Sequence, residues 1–291
     1  MAKSPAHKFG QIIGNMLEEI IYPFLKEFSD EYGYYVDRAG LRGRARPGKK
    51  VTWKDKYGND HDLDFVIEDG GSEDVRGRPL AFIEAAWRRY TKHSRNKAQE
   101  IQGAILPIAE KYAWDVPFLG AVVAGVFTNG SLQQLESVGF NVLYFPYSSI
   151  ISAFQSVGIN AEFDESTPDA DFAICIEEIE RLDDQARQAL KDELKALNHD
   201  KINLFIESLR SALARTIQKV IVSPLFGSSS EFFNIDDAVL FLGGQFDFSA
   251  EIGFKKVEII VVYSNGDRIE GSFTTAEKGV KFLEYARKDN M

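Results

Sequence analysis

The sequence predicts an α/β fold with a mixed central sheet flanked by helices over residues 1–165, and an α+β extension over residues 166–291. Two observations indicate this. Apolar residues recur at helical spacing from residue 8 to residue 31, and β-rich runs then alternate with helical segments up to about residue 155. The predicted order is helix, three strands, helix, strand, helix, strand, which is typical of a sheet with helices packed on it.

The elements of the first segment are predicted in turn from their local patterns. Residues 8–31 place their apolar side chains on one face of a long helix. VTWKDKYGNDHDLDFVIE, residues 51–68, alternates around a Tyr-Gly-Asn-Asp turn and predicts a β-hairpin, and LAFIEAAW, residues 80–87, predicts a buried strand. Next come a helix from about Arg95 to Tyr112, the strand VPFLGAVVAGVF, the short helix GSLQQLESV and the strand FNVLYFPY.

The second segment is predicted to begin at STPDAD, residues 166–171. Residues 174–197 and 202–222 have helical periodicity and predict a helical hairpin, for which we favour packing on the core over dimerisation. Asn265-Gly266 lies between two β-rich runs and predicts a β-hairpin, and Thr274 or Thr275 then caps a last helix. Recognition, dimerisation and partner binding remain open as roles for this segment.

Cysteine and histidine usage limits the chemistry open to the chain. The single cysteine, Cys175, excludes an intramolecular disulfide and a cysteine-based zinc cluster, and the four histidines lack ligand spacing. A bound metal would therefore have oxygen ligands. No apolar run approaches the roughly 18 to 20 residues that span a bilayer, and the N-terminus lacks a signal-peptide core. We therefore expect a cytoplasmic protein without membrane contact.

Positive charge is concentrated in one part of an acidic chain. The net charge is −10, yet residues 38–97 contain 15 Lys and Arg against 9 Asp and Glu, so this part carries +6. Solvated loops are the plain alternative for such runs, but two basic runs that bracket an acidic pair favour nucleic-acid binding. The two basic segments are DRAGLRGRARPGKK, residues 37–50, and WRRYTKHSRNK, residues 87–97.

The acidic pair is Asp64 and Glu84, one on each of two neighbouring predicted strands. Side chains two residues apart in a strand share a face, so Asp64 shares one with Asp62, and Glu84 shares one with Ala86 and Arg88. Two carboxylates on adjacent strands can bind a hard divalent cation such as Mg²⁺. The alternative interpretation of Asp64 is an exposed acid without a metal-binding role on a half-buried strand. Glu84 lies in an apolar run, where an unpaired carboxylate is costly.

The order of elements, with this acidic pair in the second and third strands, resembles the PD-(D/E)xK nuclease superfamily, which includes most type II restriction endonucleases. The resemblance covers about residues 8–155 and implies a restriction-endonuclease-like core. It implies that Asp64 and Glu84 bind Mg²⁺, with Mn²⁺ as a substitute, for phosphodiester hydrolysis. In the superfamily a lysine two residues after the glutamate assists the attacking water, and here that position is Ala86.

Three explanations of Ala86 remain open. In the first, the role of the missing lysine has moved to Lys97, near the start of the following helix, with Lys92 and Arg88 as alternatives. The second is a site that works with metal ions alone, and the third is a catalytically silent protein. We favour Lys97.

The resemblance also implies a third metal ligand on the opening helix. This ligand would be Glu18, one turn after Gly14, where the glycine allows close approach; a solvated helix residue is the alternative for Glu18. Asp62 is a reserve ligand, and Glu100, on the same predicted helix as Lys97, is a candidate for an extra ligand.

The resemblance implies a Mg²⁺-dependent DNA endonuclease, most simply a type II restriction enzyme that cuts double-stranded DNA as a homodimer. A cognate DNA methyltransferase would act on the same site. A catalytically inactive DNA-binding or complex subunit and a repair or phage-defence nuclease are the alternatives. The residues expected to contact DNA are Arg42, Arg44, Arg46, Arg88, Arg89, Lys92 and Arg95.

Overall fold

The chain folds into two compact units, each built from two separate stretches of sequence. The first comprises Met1–Lys111 and Pro117–Arg210, and the second comprises Tyr112–Val116 and Ser211–Met291. The computed structural model describes residues 4–40, 42, 45–90, 94–225, 227–245 and 255–287.

The first unit is built on a five-stranded mixed sheet, in the order β1-β4-β5-β6-β7. β1 pairs with β4 and β4 with β5 in antiparallel fashion, whereas β5, β6 and β7 are parallel. β2 and β3 form a separate two-stranded sheet. The strands are β1 (Tyr35–Arg38), β2 (Val51–Lys54), β3 (Asp60–Leu63), β4 (Phe65–Asp69), β5 (Arg78–Arg88), β6 (Phe118–Gly125) and β7 (Phe140–Pro146).

Helices pack on this sheet, which confirms the predicted α/β class with a mixed central sheet. The helix α1 begins after Ser4, whose side chain accepts a hydrogen bond from the His7 N–H, and ends at Gly33, which has a φ of 73°. Both α1 and α2 pack on β5. The helices are α1 (Pro5–Tyr32), α2 (Ser94–Lys111), α3 (Asn129–Glu136), α4 (Tyr147–Ser156), α5 (Asp169–Arg181), α6 (Asp184–Leu197) and α7 (His199–Leu213).

The predicted hairpin over residues 51–68 has a break that the alternation of its side chains does not reveal. β2 and β3 form the hairpin, with Thr52 opposite Asp62. The chain then bends at Asp64 and enters the main sheet as β4, where Phe65 pairs with Ile83. Asp64 therefore lies between the two sheets.

The predicted helical hairpin differs from the structure in two respects. Residues 174–197 are not one helix. The helix α5 ends at Arg181, and α6 begins after its N-cap residue Asp183, whose side chain accepts a hydrogen bond of 2.8 Å from the Ala186 N–H. The second predicted helix ends at Leu213, and Ile217–Pro224 forms strand β8. The backbone of that stretch pairs with a neighbouring strand, and its alternate residues Val220 and Val222 are buried in the core of the second unit.

The helices α5 and α6 pack on α1 and α4, which is the packing on the core that the sequence favoured. The first unit therefore extends to Arg210. This differs from a boundary at residue 166, since the apolar faces of these helices are buried inside the first unit.

The second unit has a four-stranded antiparallel sheet in the order β11-β10-β8-β9, covered on one face by two helices. The predicted turn at Asn265-Gly266 is confirmed, with a φ of 90° at Gly266, and Thr275 caps the last helix through the Lys278 N–H. No helix among the described residues is long and apolar enough to cross a membrane. The remaining elements are β9 (Ser230–Phe232), α8 (Ile235–Leu240), a π-helical turn (Phe241–Gln245), β10 (Val257–Tyr263), β11 (Arg268–Phe273) and α9 (Ala276–Arg287).

Candidate functional site

Three acidic residues from the helix α1, the bend between β3 and β4, and the strand β5 form one cluster, which we call the acidic cluster: Glu18, Asp64 and Glu84. Asp64 Oδ2 accepts a hydrogen bond of 2.6 Å from the Ala85 N–H, so the bend between β3 and β4 places its carboxylate beside the middle of β5. Glu18 on α1 lies close enough for the charge of Asp64 to raise its pKa, and the charges of Asp64 and Glu18 both raise the pKa of Glu84.

Burial and mutual repulsion make these carboxyl groups difficult to ionise. Burial, together with the charge of Asp64, raises the pKa of Glu84 to about 8 and the pKa of Glu18 to about 7. Burial also raises the pKa of Asp64, against the opposing effects of the Ala85 hydrogen bond and of Lys97. The cluster therefore favours a proton or a cation over three free negative charges.

Lys97 in the first turns of α2 lies next to Glu84. Its Nζ is 3.9 Å from Glu84 Oε1 and 3.4 Å from Glu100 Oε2. Glu100 also accepts a hydrogen bond of 3.0 Å from Arg88 Nη2. A cation is thus present beside the glutamate although Ala86 provides none.

The chemistry of the acidic cluster fits a hard divalent cation. Its donors are carboxylate oxygens, and Glu84 Oε2 is buried without a hydrogen-bond partner in the described part of the chain. In their present rotamers, however, no three His, Cys, Asp or Glu side chains of the described residues are arranged to hold a metal ion. Binding would therefore require the side chains to move toward a shared ion.

Asp62, the reserve ligand, has partners of its own, and the expectation about Gly14 needs correction. Asp62 lies on the hairpin, where its carboxylate accepts hydrogen bonds from Lys50 Nζ and from Thr52 Oγ1, the latter at 2.8 Å, and its charge also raises the pKa of Glu84. Gly14 does not provide a close approach, because a Cβ atom there would meet nothing within 4 Å. Glu18 is half-buried in the cluster all the same.

Two arginines that were expected to contact DNA lie inside the protein. The Arg46 side chain is 0% exposed, with Nη2 2.9 Å from Glu68 Oε2 and Nη1 3.8 Å from Asp37 Oδ2. Arg42 donates to Asp37 as well, with Nε 2.8 Å from Oδ1. These contacts, unlike those of a flexible DNA-facing loop, hold the Arg42 and Arg46 side chains against β1 and β4 at the edge of the sheet.

The other predicted DNA contacts have varied positions. Arg88 lies beside the acidic cluster, and Arg95 is exposed on α2. The Arg89 guanidinium is stacked over the rings of Tyr90 and Phe172, at 4.2 and 4.3 Å from their centroids. Arg44 and Lys92 lie outside the described residues.

Replacing Arg46 with methionine should lower the free energy of unfolding by about 3–5 kcal/mol, because it leaves Glu68 buried without its partner. The exposed Arg95 is the control, since Arg95→Met should change stability by no more than about 0.5 kcal/mol. Urea denaturation measures both. A fully stable Arg46→Met variant with weakened DNA binding would contradict the internal role.

Stability should fall as the pH rises from about 5 to about 8. Glutamates in the unfolded chain lose their protons near pH 4.5, whereas folded Glu18 and Glu84 keep theirs up to about pH 7 and 8. The folded state therefore binds more protons in this window, so its stabilisation is complete below pH 4.5 and is lost as the pH passes 8. The loss should approach about 1.4 kcal/mol per pH unit for each retained proton.

Urea denaturation at several pH values measures this loss. Mg²⁺ should reduce it if the ionised carboxylates bind the ion. Stability that is constant or rises over the same range would contradict the assigned burial of the cluster.

Sequence patterns did not indicate two features near the cluster. Arg38, at the end of β1, lies over the Tyr22 ring at 3.8 Å and lowers the pKa of Glu18. Glu100 contacts both Lys97 and Arg88. The contact between α1 and β1 depends on tertiary packing, and no local spacing reports it.

Comparisons with known proteins do not place this chain in a family. No protein-family model matches it. No curated protein matches it either. A solved structure with detectable similarity is that of a protein of unknown function, AF1548, which is 10% identical; the match covers 68% of this chain and 95% of that chain with a TM-score of 0.30. A TM-score this low supports no conclusion about fold or function.

Proposed function

We propose that the protein is a Mg²⁺-dependent DNA endonuclease with PD-(D/E)xK chemistry, in which Lys97 on α2 takes the place of the lysine missing at Ala86. The observation that carries the proposal is the meeting of Glu18, Asp64, Glu84 and Lys97, from four separate segments of the chain, at one place on the sheet. Buried carboxylates that repel one another destabilise a fold, and such clusters are typical of functional sites.

The residues divide the chemistry of hydrolysis between them. Asp64 and Glu84, with Glu18 as a third ligand, would hold the ion; Mn²⁺ would serve as a substitute. The bound ion supplies stabilisation of negative charge and an activated water. Lys97, beside Glu84, would orient the attacking water as a hydrogen-bond donor and would offset the charge of the phosphate.

The particular enzyme we propose is a type II restriction endonuclease with a restriction-endonuclease-like core. It would cut double-stranded DNA in the cytoplasm as a homodimer, with a cognate methyltransferase for the same site. Arg95 and Arg88 are the described members of the proposed DNA-contacting set that lie on or next to α2 without a buried structural partner.

A catalytically silent DNA-binding subunit is the second candidate, and the absence of a lysine at Ala86 favours it. A repair or phage-defence nuclease is the third. The three differ in what they do to DNA, so one set of substrates separates them.

Incubation with a supercoiled plasmid and with a linear duplex in Mg²⁺ tests the function. Discrete fragments from the plasmid are the result expected for a restriction enzyme. Products that shorten progressively from the ends of the linear duplex would favour a repair or defence nuclease. Salt-sensitive binding without cleavage of either substrate would favour the silent subunit.

A further inference from the structure

A stack of three side chains borders the acidic cluster. The Arg38 guanidinium carbon lies 3.8 Å from the centroid of the Tyr22 ring, and that ring stacks on Phe65 with centroids 6.4 Å apart and planes 14° apart. Tyr22 is one helical turn after Glu18, and Phe65 directly follows Asp64. Tyr22 and Phe65 therefore lie next to Glu18 and Asp64, respectively, which are two acids of the cluster.

Strand pairing places Arg38 at the same location. Arg38 is the last residue of β1, and its Cα partner on β4 is Phe65. Its backbone thus lies directly opposite the residue that follows Asp64. The effect of Arg38 on the pKa of Glu18 agrees with this proximity.

Arg38 also differs from the other cations near the cluster in its availability. It is exposed, and within the described ranges it has a ring contact but no hydrogen bond or ion pair to an acidic side chain. Lys97 and Arg88, by contrast, both contact Glu100. Arg38 can therefore bind an incoming anion without first breaking an ion pair.

The geometry of the stack suits recognition of a phosphate. A guanidinium that lies face-on against an aromatic ring keeps its N–H edge free, and that edge can donate two parallel hydrogen bonds to phosphate oxygens. Stacking also limits the rotamers of the long side chain, so less conformational entropy is lost on binding. A phosphate that approaches three carboxylates needs a compensating positive charge, and Arg38 supplies one beside Glu18 and Asp64.

We propose that Arg38, held on the Tyr22 ring, binds a backbone phosphate of the DNA strand next to the bond that is cut. Arg38 would then be a positioning residue for the substrate, and this proposal rests on the proposed function. The ligand class is a nucleic-acid phosphodiester, which the contact recognises independently of base sequence.

The test compares Arg38→Met with the matched control Arg181→Met, which removes an arginine that is 74% exposed at the end of α5. Affinity for a fluorescein-labelled DNA duplex is measured by anisotropy with Ca²⁺ in place of Mg²⁺, between about 50 and 200 mM NaCl. Arg38→Met should weaken binding about tenfold and reduce the slope of log K against log salt by about 0.9, the value for one lost phosphate contact. Arg181→Met should change neither quantity.

Arg38→Lys separates phosphate binding from a structural role. Because it keeps the charge, it should keep the salt slope of the wild type while losing part of the affinity through loss of the planar fork. If Arg38→Met leaves the salt slope unchanged, the proposal for Arg38 is overturned. A steep slope in the wild type would in that case still leave the proposed function intact. An equal drop in slope for Arg38→Lys and Arg38→Met would also overturn it, and a flat slope in the wild type would overturn both proposals.

Discussion

Replacement of Lys97 with methionine should reduce Mg²⁺-dependent DNA cleavage by about 10²–10⁴-fold, the usual contribution of a group that moves or orients a proton in the transition state. Lys97 Nζ lies 3.9 Å from Glu84 Oε1, and no lysine follows Glu84 on β5. Methionine keeps the apolar stem of the side chain, so α2 should stay in place. Single-turnover cleavage of a plasmid measures the rate, and circular dichroism checks the fold.

Returning the lysine to the position it has in the superfamily gives a sharper form of this test. Ala86 shares a face of β5 with Glu84 and is only 4% exposed, so Ala86→Lys would point an ammonium group into the same site. Added to Lys97→Met, it should restore cleavage at least in part. Lys111→Met, at the far end of α2, is the control and should leave the rate unchanged. Full activity of Lys97→Met would contradict the migration of the lysine.

Replacement of Glu84 with glutamine should abolish cleavage and at the same time stabilise the protein at pH 8 to 9. The wild-type carboxyl group has a pKa of about 8, so ionising it in the folded protein costs free energy that an uncharged amide avoids. The gain in unfolding free energy should be at least about 1 kcal/mol at pH 9, and it should vanish at about pH 3.5, where the glutamate is protonated in both the folded and the unfolded protein. Urea denaturation at the two pH values measures it.

Glu110→Gln is the matched control for this change. Glu110 is an exposed glutamate of α2 that contacts Lys56, so its replacement should alter stability by no more than about 0.5 kcal/mol and should not affect cleavage. A Glu84→Gln variant less stable than the wild type at pH 9 would show that Glu84 holds the fold together. Greater stability with lost activity is the signature of a residue retained for function.

Helical and strand periodicity predicted the α/β class and the elements α1, α2, α3, β5, β6 and β7, because each of these carries its own apolar pattern, but it missed the short strand β1 and the helix α4. The pattern failed where a local signal was continuous across a break. HDLDFVI keeps an apolar residue at every second position, Leu63, Phe65 and Ile67, yet the chain bends at Asp64 and passes from one sheet to another. Alternation reports which face a side chain occupies and does not report the sheet to which it belongs.

The basic segment after β1 shows a second limit. Arg42 and Arg46 lie in a Gly- and Pro-rich stretch whose composition is that of a solvated loop. Their side chains are nevertheless buried, in ion pairs with Asp37 and Glu68, respectively. Glu68 lies on a different strand from Asp37, and only the β1–β4 pairing brings the two acids together. Composition alone cannot distinguish a charge that faces water from one with a buried partner.

The site itself was partly predictable. The sequence predicted both acids on neighbouring strands, and Glu84 does lie on β5, whereas Asp64 lies at the bend between β3 and β4 and reaches β5 through its hydrogen bond from the Ala85 N–H. The position of Lys97 beside Glu84 agrees with the hypothesis of a moved lysine. The position of Arg38 over Tyr22 was not predictable, since it depends on the packing of Tyr22 against the strand pair β1–β4.

Cleavage of a supercoiled plasmid by the wild type and by Asp64→Ala, each with Mg²⁺ and with EDTA, tests most directly whether the acidic cluster is a nuclease centre. Asp64 makes its hydrogen bond to the Ala85 N–H at the middle of the cluster, and its loss removes one of the two proposed principal metal ligands. We predict conversion of the plasmid to nicked or linear DNA by the wild type in Mg²⁺ alone, and no conversion by folded Asp64→Ala. Equal cleavage by the two proteins, or cleavage that persists in EDTA, would contradict the account.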